Sequence, residues 1–114
     1  MIQENIAIRL QKIRRHFLTE LEKQYHNVEM LRNQLDQVAD PSETCIEIGR
    51  ICHKIAGTAA TLGFPDLGNV AAEIDDYVAS LRANGSGSFY DMREHADHLL
   101  VLMFLLLNDE TTAA

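Results

Sequence analysis

Forty residues pass before the first proline, Pro41, and the first glycine is Gly49. Through that stretch apolar residues recur at steps of three and four. Ile6, Leu10, Ile13, Phe17 and Leu21 form a stripe that Tyr25, Val28, Leu31, Leu35 and Val38 carry on. Such a period specifies an amphipathic helix with one buried face and excludes a strand, whose period is two. A helix over residues 2–39 is roughly 50 Å long, more than a small bundle covers. A bend or break near 18–22 is therefore expected, giving a short first helix and a longer second one.

The punctuation that follows is that of further helices. In "ADPSE" (39–43), Asp40 suits an N-cap, Pro41 the first helical position and Glu43 the far side of a capping box. The helix so opened runs to about Leu62, and Gly63 supplies a left-handed stop. Pro65 and Asp66 open the next, with Leu67, Val70, Ala71, Ile74, Val78 and Leu81 on one face. "NGSGS" (84–88) is a loop, Ser88 with Asp91 is a second capping signal, and a last helix spans about 89–108. With 114 residues, 46% of them apolar, one domain over 1–114 has enough length for a single core. The fold class expected is all-α: an antiparallel up-and-down four-helix bundle with a short additional N-terminal helix.

Charge and cysteine usage narrow the function. Residues 1–57 carry eight basic and eight acidic side chains, and residues 58–114 two basic and nine acidic, so the whole net charge of -7 lies in the second part. An acidic half argues against a nucleic-acid surface and suits a protein partner with a basic rim. Cys45 and Cys52 lie seven apart, about 10 Å along one helix face, too far for a disulfide; they read as reduced core residues of a cytoplasmic protein. The N-terminus has no uninterrupted apolar run before its charges, so no secretory leader is expected. "LLVLMFLLL" (99–107) is too short to span a bilayer, and no membrane partner is expected. Being apolar on every side, it requires cover for its outer face, from the N-terminal helix or from a second copy. The first is preferred, and with it a monomer over a homodimer.

Around His53 the sequence departs from economy. On helix 41–62, Cys45, Ile48, Cys52, Ile55, Ala59 and Leu62 form the core stripe, and His53 lies about 130° from its centre, facing solvent. Gly49, Ala56, Gly57 and Ala60 surround it, and two helical glycines each cost about 1 kcal/mol against alanine. A strip without bulky side chains lets another surface approach the imidazole. Arg50 and Lys54 flank it with positive charge, which suits an anionic phosphoryl group on a nucleophilic histidine. His95 and His98, at i and i+3 with Glu94 beside them, are the other histidine grouping. No second carboxylate–histidine pair accompanies them, and no metal is expected. "NGSGS" lacks the lysine and the preceding strand of a phosphate-binding loop.

With His53, Gly57, Thr58, Leu62 and Gly63 in this order, residues 45–80 resemble the histidine-containing phosphotransfer (HPt) domain of bacterial phosphorelays. "FPDLGNVAAEID" (64–75) is similar to that family's following helix. The resemblance implies a four-helix bundle and phosphoryl relay between aspartates of receiver domains, with His53 phosphorylated on Nε2. It implies a phosphocarrier with no kinase activity, no ATP site and no resident cofactor, the magnesium being held by the receiver. Arg50, Lys54, Gly57, Thr58 and Ala60 would orient phosphate or dock the receiver. Asp75, Asp76, Leu62 and Phe64 would form the rim. The partners implied are response-regulator receiver domains and a hybrid sensor kinase. One departure stands out: many members carry a lysine three residues after the histidine, where this chain has Ala56. The alternative is a degenerate bundle of the same fold that binds a receiver, or itself, without transfer.

Overall fold

A computed structural model describes residues 2–84 and 89–113. They form four helices and, among the described residues, no strand: α1 (Ile2–Leu35), α2 (Ser42–Ala59), α3 (Pro65–Asn84) and α4 (Phe89–Ala113). Each helix sends residues at helical steps into one core. These are Leu21, Val28 and Leu35 from α1, and Cys45, Ile48, Cys52, Ile55 and Ala59 from α2. Leu67, Ala71, Ile74 and Val78 follow from α3, and Met92, Ala96, Leu99 and Met103 from α4. Both cysteines are buried and unbridged.

The break expected near 18–22 does not occur. α1 is one helix of 34 residues, and no separate short N-terminal helix precedes it among the described residues. Nothing in the sequence interrupts the backbone there, and the apolar stripe keeps its phase through Phe17, Leu21 and Val28. The excess length is absorbed by projection instead: residues 5–13 are exposed throughout, and the molecule is 56 Å long but only 26 by 17 Å across. From Tyr25 onward α1 is tied to α4. Tyr25 packs near Phe104, with ring centroids 6.3 Å apart. Arg32 bonds Asp97 at 2.7 Å and Asp36 at 2.9 Å, and Arg93 lies 2.9 Å from the Asp36 carboxylate.

α2 starts at Ser42 with Pro41 at its N-cap and no side-chain capping bond, so the expected capping box of Asp40 and Glu43 does not form. The Asp40 carboxylate accepts bonds from the Ser42 amide (3.1 Å) and hydroxyl (2.7 Å), which holds its pKa below the ordinary aspartate value. The regular helix ends at Ala59, three residues before the expected Leu62, because the last turn tightens into a Schellman motif. In it, the Phe64 amide reaches the Ala59 carbonyl and the Gly63 amide that of Ala60, with Gly63 at φ +94. α3 runs to Asn84, the first residue of the expected loop, and α4 runs past its expected end near 108 to Ala113. The cap expected from Ser88 lies outside the described residues. The N-terminal helix does not cover the outer face of α4: Val101, Phe104 and Leu105 stay more than half exposed, because α1 packs beside α4 rather than over it.

Candidate functional site

α2 and α3 meet through glycine. A Cβ at Gly49 would lie 2.9 Å from Val78 Cγ1, and one at Gly68 would lie 3.2 Å from the backbone nitrogen of Ala60. These close approaches fall on either side of His53 and set the two helices near enough for a side-chain bond between them. The imidazole is 78% exposed, and its Nδ1 lies 2.8 Å from Oδ2 of Asp75 on α3. A carboxylate only accepts, so in the neutral ring the shared proton sits on Nδ1. Nε2 then carries the free lone pair and points away from α3.

The strip expected around His53 therefore divides. Gly57 is open, with nothing within 4 Å of where its Cβ would be. Gly49 is not part of any open strip: it is buried under Val78, because the exposed arc at that level of α2 is taken by α3. Ala60 stays exposed, although its backbone nitrogen and Cβ abut Gly68 of α3.

Arg50, His53 and Lys54 share a cleft of about 450 Å³ with Glu47, Asp75 and Arg82. Within it Arg50 is already paired with Glu47. Lys54 also borders a second groove of about 310 Å³, between α1 and α2, where Thr58, Leu62, Ile13 and Phe17 lie. The Thr58 hydroxyl donates to the Lys54 carbonyl at 3.4 Å, so it faces that groove rather than the imidazole. Phe64, expected on a docking rim, is instead buried and stacked on Phe17 with centroids 5.6 Å apart. Its ring closes the end of the core.

Sequence reasoning missed the pairing of Asp75 with His53 and the position of Arg82. Asp75 was expected as a free rim charge; it is held on the imidazole because the glycine contacts bring α3 there. His95 packs on the Tyr77 ring at 4.9 Å, and the described residues contain no group of three His, Cys, Asp or Glu side chains able to hold a metal. No described helix is long and apolar enough to cross a membrane.

Chemically, the site offers one exposed nucleophilic nitrogen. Its tautomer is fixed by a carboxylate, a cation stands beside it, and the helix surface next to it is open. In comparisons with known proteins, the family model for the Hpt domain matches residues 12–110. No curated protein and no solved structure gives a significant match.

Proposed function

Since the chain belongs to the Hpt domain family, a phosphotransfer-type domain of two-component signalling, we propose that His53 is its phosphoryl-carrying residue. The observation that carries this is the His53–Asp75 pair, which leaves Nε2 free on an open helix face. In the proposed step, Nε2 attacks the phosphorus of a receiver's phosphoaspartate. The N–P bond forms as the P–O bond to the aspartate breaks, and the receiver's carboxylate departs with that electron pair. The ring gains positive charge as the bond forms, and the Asp75 carboxylate at Nδ1 stabilises it. The reverse step passes the group to an aspartate of a second receiver. A hybrid sensor kinase would supply the first phosphoryl group, and the receiver's acidic pocket would hold the magnesium.

Gly57 gives the receiver room beside the imidazole, and Lys54 offers charge to the phosphoryl oxygens. Ala56 leaves no lysine three residues after His53, so Lys54 and Arg82, which form no ion pair among the described residues, are the cations of the cleft available for that task. The connections 36–41 and 60–64 are short, which supports an up-and-down antiparallel order for the bundle. We infer a cytoplasmic setting.

The test is transfer from a panel of phosphorylated receiver domains in magnesium. The expected product is acid-labile, alkali-stable phosphate on the wild-type chain and none on His53→Gln, with the same circular dichroism for both. Binding of receivers without any labelling would overturn the relay and leave a docking module.

A further inference from the structure

Two apolar surfaces of this molecule are left without cover. On α1, Ile6, Leu10 and Ile13 are each about half exposed (51%, 49% and 50%). They lie on the stripe that continues through Phe17 into the buried Leu21, Val28 and Leu35, so the core-facing seam runs on past the end of the bundle. On α4, Val101, Phe104 and Leu105 are exposed at 54%, 53% and 57% on the side opposite Leu99 and Met103. Scattered apolar residues on a surface carry no message, but three in helical register on each of two helices do.

The two surfaces cannot meet within one chain. Phe104 lies at the level of Tyr25, fifteen residues from Leu10, which is about 22 Å along an unbroken helix. Their charges are complementary. Residues 5–16 carry four basic side chains (Arg9, Lys12, Arg14 and Arg15) and no acidic one, whereas the apolar run 99–107 is bordered by Asp97, which is bonded to Arg32, and by Asp109, with no Lys or Arg between them. Pairing two projecting ends with each other would oppose like charges. Pairing each end with the other copy's α4 joins unlike ones.

We propose that the chain forms an isologous homodimer in which Ile6, Leu10 and Ile13 of each copy pack on Val101, Phe104 and Leu105 of the other. A two-fold axis midway between Leu10 and Tyr25, near Phe17, makes both contacts at once and closes the assembly. In this register Arg15 lies at the level of Asp109 on the partner's α4.

Sedimentation velocity of the full chain, from low to high micromolar concentration, tests this independently of phosphotransfer. The expected mass rises towards twice the monomer value. Leu10→Glu and Phe104→Glu each weaken association by about tenfold or more with unchanged circular dichroism. Arg15→Glu and Asp109→Arg each weaken it, and their combination recovers part of the loss. A mass that stays monomeric at every concentration overturns the proposal. So does a dimer untouched by Phe104→Glu, which would mean end-to-end pairing. A monomer whose α1 binds vesicles containing anionic lipid also overturns it, assigning the projecting helix to a membrane surface.

Discussion

At the scale of single residues, Asp75 is the side chain whose removal separates chemistry from fold. It is partly exposed and bonded to an exposed ring, so its loss costs little stability. In the proposed transfer it also fixes which nitrogen of His53 attacks. Asp75→Ala is expected to slow phosphoryl acceptance by about tenfold to a hundredfold with an unchanged unfolding midpoint. Asp75→Asn, which keeps an acceptor for Nδ1–H but loses the charge, should fall between. Equal rates for Ala and wild type in single-turnover transfer would mean that the pair is incidental. The cysteines show the opposite case, burial without chemistry. Burial pushes the Cys45 thiol up to about 11 and that of Cys52 up to about 12, from an ordinary 9.0. Below pH 9 the thiols are protonated in both folded and unfolded chains, and their contribution to stability is whole. Above it the unfolded chain ionises first, so stability falls as pH rises towards 11 and 12. The native chain should resist alkylation by iodoacetamide at pH 8, and the urea-unfolded chain should react at both sites by mass spectrometry.

At the scale of elements, two glycines placed four residues before and after one histidine behave differently because different neighbours lie over them. Gly57→Ala fills open space and gains the helix preference of alanine, so a stabilisation of about 0.5–1 kcal/mol is expected. A large side chain there, such as leucine, should preserve the fold and impede transfer by blocking the receiver. Gly49→Ala gains the same preference but drives its methyl group against the stiff, branched Val78, an overpacking that costs about 1–3 kcal/mol. Urea denaturation should therefore place the Gly49 variant below wild type and the Gly57 variant above it; the reverse order would mean that α3 yields to a methyl group without cost. The pairings across this interface were missed, although the sequence held a signal for them. Gly63 marks the turn, and Ala60–Gly68 and His53–Asp75 are pairs equally distant from Phe64, so a tight connection between two helices implies both. Gly49 was misread because periodicity gives the face of a residue on its own helix and not where the neighbouring helix crosses it. The histidine, its outward face and the openness at Gly57 followed from the period alone.

At the scale of the whole molecule, the seam of α1 shows what a period leaves unsaid. It fixed the buried face from Phe17 to Leu35 and carried no mark of where the packing partners stop. A break was expected because a bundle has no use for so long a helix by itself. The helix instead continues because its backbone has no reason to end, and the consequence is uneven stability along one element. From Leu21 onward its amides are locked by core side chains and by the Arg32 bonds to Asp97 and Asp36. Before Ile13 they are held by local helix bonds alone, and such a segment is shorter than an isolated helix needs. Hydrogen exchange on dilute protein should find residues 5–12 opening without global unfolding, while residues 21–35 exchange only with the whole domain. In the dimer proposed above, the same amides 5–12 should gain protection as concentration rises, together with those around Phe104 and with no change at His53. Protection of 5–12 equal to that of 21–35 in the dilute chain would mean that α1 is stabilised along its whole length within one copy. The bundle would then owe nothing to a partner for its projecting end.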